Sequence, residues 1–179
     1  MFWLTTADGI WVWQEATGDF ITYRAGGTDA HPSDNLMVRL QVDDEGLLWV
    51  GSAVGLYIFD PGKHRFRLFT HDFEKPTSPV NGPVLSLMFD RSGILWAGSW
   101  HAGLNKVNPR AGGFRTLAFG SSGEASGGLS VDAIFEDSRC GMWIGTGDSP
   151  SGVGHGGLFH RATPDNDFVQ MAPTPDQPS

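Results

Sequence analysis

An all-β fold built from about four repeated four-stranded antiparallel units of roughly 47 residues is what this chain predicts, and three observations predict it. Tryptophans recur at positions 3, 49, 96 and 143, at intervals of 46, 47 and 47 residues, within the recurring text Phe2-Trp3-Leu4-Thr5-Thr6, Leu48-Trp49-Val50-Gly51-Ser52, Leu95-Trp96-Ala97-Gly98-Ser99 and Met142-Trp143-Ile144-Gly145-Thr146. The apolar runs between them, such as Val84-Leu85-Ser86-Leu87-Met88-Phe89 and Leu56-Tyr57-Ile58-Phe59, are short, rich in β-branched and aromatic residues, and bounded by Gly, Pro, Asp and Asn. Glycine makes up 25 of the 179 residues, a frequency that would break the paired amphipathic helices of a helical array with a similar period.

Taken in order, the first unit spans residues 1–36 and lacks its inner strand, because only Met1 and Phe2 precede Trp3. The second spans 37–83. The third, 84–130, is the clearest: strand A from Val84 to Phe89, strand B from Ile94 to Gly98, strand C from Leu104 to Val107 and strand D from Phe114 to Ala118. The fourth spans 131–172, and residues 173–179 form a Pro-rich tail. Six residues before three of the tryptophans stands an acid, Asp43, Asp90 or Asp137, which opens the A–B turn; a glycine, Gly46 or Gly93, closes it in the second and third units. In the fourth unit Cys140 takes that glycine position and Gly141 follows one residue late, so either the cysteine adopts positive φ or the turn shifts by one. Four-stranded units at this spacing are the blades of a β-propeller.

The text Asp90-Arg-Ser-Gly-Ile-Leu-Trp-Ala-Gly-Ser, followed by Gly103-Leu-Asn-Lys-Val-Asn-Pro109, resembles the two-component regulator propeller repeat. The linker from His71 to Ser78 is similar to the His-Asp-rich connection between blades of that family. The resemblance covers nearly the whole chain. It implies a periplasmic ligand-sensing propeller of about seven blades, joined to a membrane-anchored output module such as a histidine kinase or a diguanylate cyclase, and it implies ligands that are often carbohydrate-derived. On that reading the chain is an open arc or fragment of a larger ring, with the remaining blades, or self-association through exposed blade faces, as its protein partners. Thr5, where the other units have Gly, and the longer loop between Gly145 and Gly157 depart from the repeat.

Charge narrows the partners. Twelve Lys and Arg against 20 Asp and Glu give a net charge of −8, with no basic cluster to grip nucleic acid, and no apolar run is long enough for direct membrane insertion. The single cysteine excludes an intrachain disulfide and any Cys-x-x-Cys site. No His-Glu-x-x-His, Gly-x-Ser-x-Gly or phosphate-loop motif occurs in the sequence. No catalytic residue, metal ligand or cofactor is therefore assigned. The reading is a non-catalytic segment for a small-molecule or oligosaccharide ligand; a streptogramin-lyase-like enzyme and a purely structural or protein-binding propeller are the alternatives.

In an antiparallel meander the A–B and C–D turns share one end of the blade, while the B–C and D–A loops share the other. The turns are uniform and the loops are not, which marks the loop end as the recognition face. Its candidate contacts are Trp100, His101, Asp148 and His155, among loops that also carry Asp29, His31 and Asp34. Trp100 lies outside the repeated Trp position and suits stacking on a sugar ring, although packing between blades is the plainer role for it. Trp3, Trp49, Trp96 and Trp143, with Asp43, Asp90 and Asp137, are assigned structural roles.

Overall fold

The computed structural model describes residues 2–26, 36–72, 74, 77–79, 82–100, 102–117, 129–147 and 156–171. Fifteen strands are found there: β1 (Phe2–Thr6), β2 (Gly9–Gln14) and β3 (Asp19–Tyr23); β4 (Met37–Val42), β5 (Leu48–Ser52), β6 (Gly55–Asp60) and β7 (Arg65–Phe69); β8 (Val84–Phe89), β9 (Leu95–Ser99), β10 (Gly103–Val107) and β11 (Phe114–Leu117); β12 (Ser130–Glu136), β13 (Met142–Gly147), β14 (Gly157–Arg161) and β15 (Val169–Met171). They form one three-stranded and three four-stranded antiparallel meanders, each paired in chain order. Among the described residues no helix is long and apolar enough to cross a membrane.

Strand A of the third blade falls on the predicted residues, and strand B starts one residue later than predicted, at Leu95 rather than Ile94. The Asp90 turn explains the shift. Ile94 N donates to Asp90 Oδ1 at 3.0 Å while Asp90 N donates to Ile94 O, so residue 94 is consumed in closing the turn. Each A strand also carries a register shift near its start, between Met37 and Arg39, Val84 and Ser86, and Val131 and Ala133. The extra residue lies beside the Gly that follows the repeated Trp by two, and such a bulge raises the local twist of a blade.

Glycine at that place lets consecutive blades approach. A Cβ on Gly51 would lie 2.6 Å from Val84 O, and one on Gly98 would lie 2.5 Å from Val131 Cγ1 and 2.7 Å from Val131 O. The buried Ser86 hydroxyl donates across the same junction to Val131 O at 2.8 Å. Packing accordingly runs along the inner strands from β1 to β4, β8 and β12. Three apolar clusters fill the junctions: Ile10, Leu48, Val50 and Phe59; Trp49, Leu56, Val84, Leu95 and Val107; Trp96, Leu104, Val131, Ile144 and Phe159. The outer sheets leave apolar side chains exposed, Phe2 and Leu4 at one end and Phe135, Val169 and Met171 at the other.

Candidate functional site

Loops read ligands only if the strands beneath them are held, and the A–B turns do the holding. Asp43 Oδ1 accepts from Glu45 N and Leu47 N, both at 2.9 Å, and its Oδ2 accepts the Trp49 indole N–H at 2.8 Å. The Asp90–Trp96 and Asp137–Trp143 pairs repeat the bond at 2.7 and 2.9 Å. One carboxylate thus caps a turn and anchors the blade's central tryptophan, which explains the six-residue spacing. These bonds, led by that from Trp143, hold the Asp137 carboxyl below the usual carboxylate range.

At the opposite end the B–C loops of three blades share one device. Thr6 Oγ1 donates to Gly9 O at 3.0 Å and accepts from Asp8 N; Ser52 Oγ donates to Gly55 O at 2.9 Å and accepts from Val54 N; Thr146 Oγ1 donates to Gly157 O and accepts from Gly157 N. The third blade breaks the pattern. Ser99 pairs with Gly103 across three intervening residues, whereas Ser52 pairs with Gly55 across two, and the buried Ser99 hydroxyl has no hydrogen-bond partner. The longer loop carries Trp100, which is 47% exposed while its backbone N–H donates to Pro83 O at 2.8 Å. The ring is thus half exposed above a backbone bonded to Pro83. His101, Asp148 and His155, like Asp29, His31 and Asp34, lie outside the described residues.

The described residues of the linker between the second and third blades are bonded to one another and to Phe114, the first residue of β11. Ser78 Oγ donates to Asp72 O and accepts from Asp72 N, both at 3.0 Å, His71 Nδ1 lies 2.9 Å from Pro79 O, and Phe114 N donates to Thr77 O at 2.7 Å. Elsewhere on this end Arg24 holds Asp8 by two nitrogens, and that bond keeps the Asp8 carboxyl below its usual range.

A cavity of about 700 Å³ between the second and third blades was not anticipated from the sequence. It opens at the turn end, among Asp43, Glu45, Trp49, Arg67, Asp90 and Arg91, with Arg110 reaching across it to Asp44 at 3.1 Å. Its walls come from two blades, from residues as far apart in the chain as Val42 and Phe114, each of which reads locally as turn or strand, so no local signal marks it. Among the described residues no group of three or more His, Cys, Asp or Glu could hold a metal ion.

Three solved structures share this arrangement. The extracellular domain of the hybrid two-component system BT3049 of B. thetaiotaomicron superposes with a TM-score of 0.72 at 17% identity, over 95% of this chain and 23% of that one. Two structures of the extracellular domain of BT4673 from the same organism, titled respectively as a hybrid two-component and a one-component system, give 0.73 and 0.72 at 17% identity, over 97% and 96% of this chain and 21% of theirs. The fold is an arc of a β-propeller. No family model matches the sequence, and no curated protein does. The arc spans about a fifth of the length of the solved chains it matches.

Proposed function

We propose that the propeller arc is a non-catalytic ligand-recognition segment of an extracytoplasmic sensor, reading a small carbohydrate-derived ligand on the face formed by its B–C and D–A loops. The observation that carries it is Trp100: a half-exposed indole on a loop one residue longer than those of the first two blades, with its backbone N–H bonded to Pro83 O. An indole presented this way offers an apolar face to a pyranose ring, and its rigidity limits the entropy lost on binding. His101, Asp148 and His155 are proposed as the polar contacts around it. Likeness of fold to extracellular domains of two-component systems supports the setting. The exposed apolar rows on the two outer sheets are the surfaces through which further blades, or copies of the chain, would pack.

Calorimetric titration of neutral and acidic oligosaccharides into wild type, Trp100→Ala and Glu45→Ala tests the reading. Loss of roughly tenfold or more in affinity for Trp100→Ala alone is expected, the order of effect of removing an aromatic anchor. Equal affinity in wild type and Trp100→Ala removes Trp100 from the site. Loss in Glu45→Ala instead moves recognition to the cavity at the turn end.

A further inference from the structure

The junction between the third and fourth blades places a lysine on a row whose middle position is apolar in the first two blades. Directly opposed residues of an antiparallel sheet share a face, and across β9, β10 and β11 the register aligns Trp96, Lys106 and Arg115. The same row reads Trp3, Val12, Ile21 in the first blade and Trp49, Ile58, Arg67 in the second. Facing it from the fourth blade is Arg161, opposite Met142, at the place taken by Phe59 in the second blade and Val107 in the third. Lys106 thus stands where the first two blades have Val12 and Ile58, Arg161 stands where the second and third have Phe59 and Val107, and the two meet across one seam.

Among the described residues no carboxylate touches either cation. Arg161 is 8% exposed, with its guanidinium carbon 5.0 Å from the centre of the Trp96 ring and 5.0 Å from that of Phe168; Lys106 Nζ lies 5.6 Å from the Trp96 ring. Among the described residues no carboxylate forms a salt bridge with Lys106, Arg115 or Arg161. Asp90 and Asp165 act on Arg161 through space without forming an ion pair with it, and Asp90 has both oxygens engaged by Ser92, Ile94 and Trp96. Arg161 gives one long bond from Nη1 to Pro164 O at 3.5 Å, while its buried Nε–H has no acceptor among the described residues. Burial, and the charges of Arg161 and Arg115, hold the Lys106 ammonium below its usual range. A ring clamp explains where the Arg161 guanidinium sits. It leaves the orphaned Nε–H and the second partly buried cation without a reason.

We propose that this junction is an oxyanion site, in which Arg161 at the floor, Lys106 on the wall and Arg115 at the exposed rim take a carboxylate, sulfate or phosphate group. An oxyanion supplies the missing acceptor for Arg161 Nε, and a planar guanidinium beside an ammonium is the usual pairing for such a group. The site is separate from Trp100 and its loop face, so it stands or falls independently of the ligand proposed there.

The test is a titration of the chain with sodium sulfate, phosphate and acetate, each against chloride at matched ionic strength, following the Trp96 indole N–H resonance. A saturable shift with at least one oxyanion and none with chloride is expected, and the preference among the three identifies the group. Lys106→Met and the exposed Arg115→Gln each weaken the response, the former by roughly tenfold. Lys106→Glu supplies the counter-charge internally, so it abolishes the response and raises the melting temperature in chloride. Absence of a saturable shift with all three anions overturns the proposal, as does a shift that Arg115→Gln and Lys106→Glu leave unchanged. Should Lys106→Met fail to fold, Arg115→Gln alone decides.

Discussion

At the scale of single residues, Cys140 shows how closely the A–B turn is specified. Its φ is +65°, against +79° at both Gly46 and Gly93, and its N–H donates to Asp137 O at 3.1 Å as Gly46 N and Gly93 N do to their own Asp. The turn has kept its geometry and imposed it on a residue with a Cβ, the first of the two alternatives the sequence left open. Left-handed backbone is unfavourable for such a residue by about 1 kcal/mol, and the thiol gains in return one weak contact, 3.5 Å from Arg91 Nη1. Cys140→Gly is expected to be neutral or stabilising by up to about 1 kcal/mol in denaturant unfolding; a clear loss of stability would show that the thiol contact outweighs the strain. Asp137, in the same turn, makes a second expectation. A carboxyl whose folded pKa lies below its unfolded value of about 3.9 contributes stability above that value and loses it as the pH falls through the folded one. Thermal unfolding between pH 6 and pH 3 should therefore show a wild-type melting temperature that drops below about pH 4, with a shallower drop in Asp137→Asn. Because the Asp8 and Asp60 carboxyls are lowered too, the difference between the two curves is the reading, and parallel curves would contradict it.

At the scale of elements, the blade junction rests on one backbone approach. A methyl group on Gly98 meets the Ser86 hydroxyl and the Val131 backbone inside contact distance, whereas on Gly145 its nearest neighbour is Ala133 Cβ at 3.4 Å. Gly98→Ala should destabilise by about 1–3 kcal/mol, as overpacking between rigid elements does, and Gly145→Ala should be nearly neutral; equal effects in urea unfolding would remove the close approach from the account. These contrasts mark what the sequence made legible. Strand order, the Asp-first turns and the four-stranded unit follow from spacing and alternation, because they depend on neighbours within one unit. The bond from each Asp to its own Trp was present in the constant six-residue interval but was read only as turn chemistry. The cavity between the second and third blades depends on residues from different units, so no local pattern announces it. The basic row at the third junction was visible only as Lys106, Arg115 and Arg161 in unrelated strands. Of the four proposed ligand contacts, Trp100 alone lies in the described residues, since His101, Asp148 and His155 fall in loops beyond them.

At the scale of the whole molecule, the arc separates holding from reading. Buried central strands such as β5 and β9, with the Asp–Trp bonds at the turn end, hold the blades, so on the proposed reading substitutions in a loop change what is recognised without loosening the core. Two sites on this scaffold compete for the role of ligand site, the Trp100 face and the cavity lined by Asp43, Glu45 and Arg67 at the turn end. Hydrogen exchange of the chain, with and without the oligosaccharide that binds best in calorimetry, separates them directly. The account predicts slower exchange in the segment around Trp100, from Ser99 to Gly103, and in the linker before Val84, with the turns at residues 43–47 and 90–94 unchanged. Protection confined to those turns would contradict it and place recognition in the cavity between the blades.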